Sequence, residues 1–137
     1  MSQGCVRDEI IERLATVALA LDTKDWPLLG SLFVEDATGY GKRGRDAIVA
    51  QTRAHLDGVG ATQHLLGNHR VTVAGTTARS LTYARVHHVG IGPMEGSFFE
   101  CMGEYDDTWR RSASGWQLTH RAFDMQIMLG DFAVLRG

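Results

Sequence analysis

The second half of the chain is the feature that most limits its fold. From Ala61 onward, long segments alternate in polarity or are rich in β-branched and aromatic residues. The breaks between them are the size of turns, at Gly75–Thr76 and at "SASG". Long strands that tight turns connect pair in antiparallel fashion with their neighbours. We therefore predict three or four long antiparallel strands in this half.

The first half predicts three helices and one short strand. Apolar residues recur at three- and four-residue steps from about Val6 to Leu21, which indicates a first helix with one buried face. Asp25 is a plausible N-cap of a short second helix, in which Pro27 falls in the first turn. A strand and turn follow in "EDATGYGKRG". The segment "RDAIVAQTRAHL" predicts a third helix with Ala47, Ile48 and Leu56 facing inward, ending near "DGVG".

Helices and sheets bury their apolar faces by packing in layers, which favours one arrangement of these elements. It is an α+β fold in which a curved antiparallel sheet wraps around the N-terminal helices. Such a sheet makes a cone with a pocket. The outer face of the sheet needs covering, so we expect a homodimer or homotrimer. The tail "GDFAVLRG" is expected either to close the pocket mouth or to pack on a neighbouring subunit.

Composition and charge exclude several classes of protein. The 137 residues suit one domain over 1–137, and no apolar run approaches the ~20 residues of a membrane span. The formal charge is −2 with scattered basic residues, so we expect neither a nucleic-acid nor a membrane partner. The N-terminus lacks the order of a secretory signal. Cys5 and Cys101 have no motif spacing and suggest reduced thiols in a cytoplasmic protein.

Histidines stand where a strand normally buries aliphatic side chains. In a regular strand, His64 shares a face with Thr62, Leu66 and Asn68, and one of His87 and His88 must also face inward. Asp22 ends the first helix beside its buried stripe. Histidine exchanges protons near neutral pH, and a carboxylate fixes its tautomer. We predict an acid–base site of Asp22, His64 and one histidine of the His87–His88 pair; the alternative is that each is a hydrogen-bonded core or rim residue.

Other polar residues could complete a small-molecule site. Tyr40 and Tyr105 can donate a hydrogen bond to a substrate oxygen or simply form walls of the core. Asn68 can orient a ligand or cap a turn. The last strand also carries His120, and on it we expect an ion pair between Arg121 and Asp124. Because no metal-ligand spacing, nucleophile elbow, phosphate loop or dinucleotide fingerprint occurs, we expect proton transfer without a cofactor or metal.

The order of these motifs is similar to a known family. "ALDTKDW", "GRDAI", "TQHLLGN" and "GEYDDTWRR…GWQLTHR" resemble the SnoaL-like branch of the NTF2-like superfamily, from about Arg7 to Met128. The resemblance extends to scytalone dehydratase and the bile-acid 7α-dehydratases. It implies a cone-shaped α+β barrel with a deep, largely apolar pocket.

The same resemblance implies roles for individual residues. It pairs Asp22 with His88, matches the histidine of "TQH" to His64 and the substrate-binding tyrosine to Tyr40. The chain departs from scytalone dehydratase at Leu21, where that enzyme has tyrosine, and at Tyr105, where it has asparagine.

These observations predict a cofactor-independent lyase, a dehydratase of a small cyclic and largely apolar substrate such as a polyketide- or steroid-like ketol. An isomerase or polyketide-type cyclase would use the same residues without loss of water. A hydrolase that opens an epoxide is a third enzymatic option. A module that binds a small molecule without catalysis is the alternative from another class.

Overall fold

The structure is a computed structural model, and it describes residues 3–136. The elements of this part of the chain, in order, are α1 (Gln3–Asp22), α2 (Trp26–Ser31), β1 (Phe33–Gly39), β2 (Lys42–Arg43), α3 (Arg45–Leu56), β3 (Thr62–Ala74), β4 (Thr77–Val89), a 3₁₀ turn (Gly92–Met94), β5 (Phe98–Ser112), β6 (Gly115–Gly130) and a second 3₁₀ turn (Phe132–Arg136). The three predicted helices and the long strands are therefore confirmed.

The six strands form one sheet in the order β2-β1-β6-β5-β4-β3. Strands β3 to β6 are the predicted antiparallel series, and turns connect β3 to β4 and β5 to β6. The sheet does not close, because β2 and β3 lie at opposite edges. β1 pairs in parallel with β6, which the sequence did not predict. This pairing joins residues more than eighty positions apart, so no local pattern reports it.

The helices pack against the inner face of the sheet, as the α+β prediction requires. The stripe of α1 that was expected inside is buried, and it meets Trp109, Trp116 and Leu118 from β5 and β6. Ile48 and Leu56 of α3 are also buried, whereas Ala47, predicted to face inward, is half-buried. Burying each large apolar side chain contributes about 1.5–3 kcal/mol. This core holds the end of α1 against β3.

A β-bulge in β3 changes which residues face inward. Its register with β4 shifts between Gly67 and Arg70, and Asn68 adopts a left-handed conformation with φ 52°. Before the bulge the even-numbered residues face the core, and after it the odd-numbered ones do. The expected shared face of His64 and Asn68 is therefore wrong. The bulge turns Asn68 to the exposed side, away from the cavity described below.

The C-terminal turn packs on the sheet of its own chain. Val134 is fully buried in a second apolar cluster that includes Phe99, Cys101 and Tyr105 of β5. The Phe132 ring meets the Phe99 ring edge-on, with 5.2 Å between centroids. Of the two positions expected for the tail, the one over the pocket is the one observed. Among residues 3–136, none of the helices combines the length and hydropathy that crossing a bilayer requires.

The cap of α2 gives a direct test of the local structure. The Asp25 carboxylate accepts a hydrogen bond from the backbone N–H of Leu28 at 3.1 Å. Asp25→Ala should lower the free energy of unfolding by about 1 kcal/mol, because that N–H loses its acceptor. Urea denaturation measures the change. Asp25→Asn keeps an acceptor and should stay within a few tenths of a kcal/mol of wild type; an unchanged urea midpoint for Asp25→Ala would contradict the cap.

Candidate active site

A cavity of about 490 Å³ opens between the inner face of the sheet, α3 and the C-terminal turn. Most of its wall is apolar, with Leu21, Val86, Phe99 and Phe123 among the lining residues. Four of the six histidines of the chain also line it: His55, His64, His88 and His120. Within the described part of the chain, no aspartate, glutamate or lysine contributes to the wall. The cavity is thus an apolar chamber with imidazole groups as its main polar feature.

Asp22 and His64 form a hydrogen-bonded pair at one wall of this cavity. The Asp22 Oδ1 atom accepts from His64 Nδ1 at 2.6 Å and from the Thr62 hydroxyl at 3.0 Å. Asp22 Oδ2 accepts from the backbone N–H of His64 at 3.0 Å. Three donors on one strand therefore orient the carboxylate at the end of α1. The expected pairing of Asp22 with His88 is wrong, because Asp22 reaches the strand at Thr62 and His64.

The Asp22 carboxylate sets the tautomer of His64. Burial by itself raises the pKa of Asp22, but the hydrogen bonds from His64 and Thr62 outweigh it and hold this pKa below its ordinary value. The ionised carboxylate accepts, so the proton on the His64 ring resides on Nδ1. That leaves the lone pair of Nε2 for the cavity, which His64 lines. A carboxylate-oriented imidazole of this kind can remove a proton from a bound molecule.

His88 lines the same cavity in a different environment. It is 6% exposed, and its Nδ1 lies 2.8 Å from the backbone carbonyl oxygen of Phe99. Burial lowers the pKa of His88, so the ring is neutral at pH 7. In the β3–β4 register His88 faces Thr62, whereas His64 faces Val86, so both histidines lie on one face of the sheet. His87, its sequence neighbour, points to the outer face and bonds to Glu100.

A buried ion pair between Arg121 and Asp107 supports the opposite wall of the cavity. The guanidinium donates through Nε and Nη2 to the two carboxylate oxygens at 2.8 and 3.0 Å, and both side chains are fully buried. The expected pairing of Arg121 with Asp124 is wrong, because residues three apart on a strand face opposite sides of the sheet. Asp124 is exposed and instead accepts from the Gln126 amide.

Arg121 lines the cavity, and sequence reasoning missed this role. The Asp107 carboxylate raises the pKa of Arg121 despite the burial that would lower it, so the group keeps its charge. Its Cζ atom lies 3.8 Å from the centroid of the Tyr105 ring, a cation–π contact. The β5–β6 register pairs residues 107 and 121 directly, and only strand pairing could have pointed to this contact.

Tyr40 reaches the cavity from the turn between β1 and β2. It has φ 53° and precedes Gly41 with φ 73°, a two-residue turn in which glycine and asparagine are preferred. Part of the residue is at the surface, while its hydroxyl end contacts Arg121. A left-handed tyrosine costs about 1 kcal/mol or more, which is typical of a residue that a functional site holds in place.

Both cavity tyrosines remain protonated at neutral pH. Burial raises the pKa of Tyr40 and of Tyr105 above the ordinary value for a phenol. Each therefore keeps a hydroxyl proton that can be donated to an oxygen of a bound molecule. Burial likewise raises the pKa of the Cys101 thiol, which lines the cavity, to about 11. This thiol is therefore not a thiolate nucleophile at neutral pH.

Comparison with known proteins identifies the family. A family model described as the SnoaL-like domain matches residues 5–122. A search of curated proteins finds no match. Among solved structures, a candidate aromatic ring hydroxylase from Novosphingobium aromaticivorans is similar with a TM-score of 0.83 and 26% identity, over 94% of this chain and 95% of that one.

Two further solved structures share the fold at lower identity. A candidate scytalone dehydratase from Novosphingobium aromaticivorans has a TM-score of 0.80 and 22% identity, over 89% of this chain and 85% of that one. A hexachlorocyclohexane dehydrochlorinase, LinA-type3, from Novosphingobium barchaimii has a TM-score of 0.80 and 13% identity, over 95% and 92%. Both likenesses show that this chain shares their fold.

The buried ion pair predicts a distinct pattern of stability. Arg121→Met should lower the free energy of unfolding by about 3–5 kcal/mol, because it leaves the buried Asp107 carboxylate without its partner. The double variant Arg121→Met/Asp107→Leu should recover most of that loss, since neither charge then remains. Urea unfolding of the three proteins measures both differences. A double variant less stable than Arg121→Met would contradict this account.

Proposed function

Because this chain belongs to the SnoaL-like family, we propose that it is a cofactor-independent acid–base lyase. The proposed reaction is dehydration of a small cyclic, largely apolar substrate such as a ketol. The observation that carries the proposal is the Asp22–His64 pair, 2.6 Å apart, at the wall of a mostly apolar cavity. Two solved relatives are named for eliminations, a dehydratase and a dehydrochlorinase.

We also propose a cytoplasmic location, in keeping with the buried thiol of Cys101.

In the proposed first step, His64 Nε2 takes a proton from the carbon next to a ring carbonyl. The electrons of that C–H bond form the C=C bond of an enolate, and His64 becomes an imidazolium. Asp22 stabilises this cation through the Nδ1 hydrogen bond. Acid–base help of this kind contributes about 10²–10⁴-fold to a rate.

In the second step, the enolate re-forms its carbonyl and expels the hydroxyl group on the adjacent carbon. The His64 imidazolium returns its proton to that oxygen, which leaves as water, so the base is regenerated. Tyr40 would hold the enolate oxygen by donating its hydroxyl proton in a hydrogen bond. The Arg121 guanidinium beside Tyr40 strengthens that donor, because it favours the build-up of negative charge on the phenol oxygen.

An isomerase or cyclase would use the same first step and then return the proton to another carbon or form a ring bond. The mass of the product separates these reactions, because only dehydration removes the mass of a water molecule. A binding module without catalysis would hold a ligand in the cavity and exchange no carbon-bound proton. The His64–Asp22 pair favours catalysis, since an apolar ligand needs no oriented base.

The proton-transfer step can be tested before the substrate is identified. The probe is 2-tetralone, a bicyclic ketone, in D₂O, with exchange of its α-protons followed by ¹H NMR. Wild-type protein should accelerate the exchange above the buffer rate. His64→Gln should lose about 10²–10⁴-fold of that acceleration, because glutamine cannot take the proton. Asp22→Asn should also exchange slowly, because the imidazolium loses its counter-charge.

The matched control is His87→Gln, which changes a histidine on the outer face of the same sheet and should leave the exchange rate unchanged. Thermal unfolding of each variant confirms that it is folded. Exchange at the buffer rate with wild-type protein, or equal rates for wild type and His64→Gln, would refute the proposed base. Binding of 2-tetralone without any exchange would favour the non-catalytic module.

We also propose that the outer face of the sheet joins copies of this chain into a homodimer or homotrimer. Large apolar side chains are exposed there across four strands: Leu65, Tyr83, Val89, Phe98, Ile127 and Leu129. A second copy with the same apolar face would cover this surface from water, and the gain scales with the area buried.

Light scattering after gel filtration tests this assembly. Wild-type protein should have a mass two or three times 15.1 kDa, and Ile127→Glu should shift it toward the monomer. Leu19→Glu is the control, since Leu19 is an exposed leucine on α1 rather than on the sheet. A monomeric wild type, or equal shifts for both variants, would contradict this interface.

A further inference from the structure

We infer that the two cavity histidines have separate roles, and that His88 is a fixed hydrogen-bond acceptor that selects substrates bearing a hydroxyl group. His64 alone would then be the base. The inference rests on the proposed function in taking the cavity as the substrate site. It adds a residue that selects for the hydroxyl group of the substrate.

The backbone decides which nitrogen of His88 carries a proton. Its Nδ1 lies 2.8 Å from the carbonyl oxygen of Phe99, and a carbonyl oxygen can only accept a hydrogen bond. The Nδ1 atom must therefore hold the ring proton, and in the neutral ring Nε2 carries a lone pair. Because His88 lines the cavity, this lone pair is the group that it offers to a ligand.

His88 is held neutral as well as oriented. No carboxylate bonds to its ring among the described residues, whereas Asp22 bonds to His64. Burial is the main cause that lowers the pKa of His88. The hydrogen bond to the Phe99 carbonyl oxygen opposes this effect, but the nearby imidazole of His64 adds to it, and the pKa stays below its ordinary value. A His64 ring that has just taken a proton makes a second imidazolium beside it still less favourable. During turnover His88 therefore accepts a hydrogen bond and does not supply a proton.

A buried acceptor discriminates between ligands by what they can donate. A hydroxyl group can donate to His88 Nε2, whereas a methyl group, an ether oxygen, a ketone oxygen or a chlorine atom has no proton to offer. A ligand without a donor at this point leaves the lone pair desolvated and unpaired, which costs affinity. His88 thus disfavours purely halogenated or hydrocarbon substrates and favours a ring that carries a hydroxyl group.

A second histidine at the cavity has the same locked tautomer. His55 on α3 lines the cavity and has its Nδ1 3.0 Å from the backbone carbonyl oxygen of Gln51. In the neutral form of this ring, Nε2 is the acceptor. A cavity with acceptors contributed by both a helix and a strand matches a substrate with more than one hydroxyl group.

Two bicyclic probes of nearly equal shape test the role of His88. 2-Naphthol carries a hydroxyl group where 2-methylnaphthalene carries a methyl group, and calorimetry or NMR titration gives the Kd of each. In wild type the hydroxyl compound gains one hydrogen bond. His88→Phe keeps a buried ring but removes the acceptor. We expect it to shift the ratio of the two Kd values about tenfold in favour of the methyl compound, the effect of one hydrogen bond.

His88→Gln is the matched variant, because its amide can donate to the Phe99 carbonyl and present an oxygen acceptor to the cavity. It should keep most of the wild-type ratio. Three results would overturn the inference: an unchanged ratio of the two Kd values in His88→Phe, a shift of this ratio that is equal in His88→Phe and His88→Gln, or no binding of 2-naphthol to wild type. These readouts involve no turnover. If His88 determines the Kd ratio but the protein does not accelerate proton exchange of 2-tetralone, the proposed lyase activity is wrong and the acceptor role of His88 still holds.

Discussion

The contact between Asp22 and His64 is the interaction on which the rest of the site depends. It joins the C-terminal end of α1 to β3 through three hydrogen bonds to one carboxylate. A helix C-terminus is an unfavourable place for an anion, because the helix dipole is negative there. The three donors of the strand offset that cost. The same carboxylate thus fastens the helix to the sheet and sets the tautomer of the ring that faces the cavity.

The cavity has two polar walls that are stabilised in different ways. On one side, the half-buried Asp22 carboxylate orients the imidazole of His64. On the other side, Arg121 keeps its charge in a fully buried pair with Asp107, and the two tyrosines lie against this pair. This division suits a reaction in which one group moves a proton and the other stabilises an oxygen. The low polarity of the surface between the two walls strengthens both interactions.

The two inward histidines show how local backbone contacts assign chemistry. His64 and His88 are the same residue type on neighbouring strands and on one face of the sheet. One bonds to a carboxylate and the other to a carbonyl oxygen. A carboxylate stabilises a protonated ring, whereas the burial of His88 opposes one. In the proposed reaction, the partner of Nδ1 therefore sets which ring acts as the base and which only accepts a hydrogen bond.

The sequence by itself determined the elements and most of the residues at the cavity. Hydrophobic periodicity predicted α1 and the long strands. Strand parity predicted that His64 and one of His87 and His88 face inward, and the family resemblance selected His88. Hydrophobic periodicity gives only the apolar face of an isolated helix, so it predicted Ala47 to be more buried than the structure shows. Only the tertiary structure decided that Asp22 meets His64, that Arg121 pairs with Asp107, and that Asn68 faces outward. These outcomes depend on strand register and on the bulge after Gly67, which arise from contacts between residues far apart in the chain.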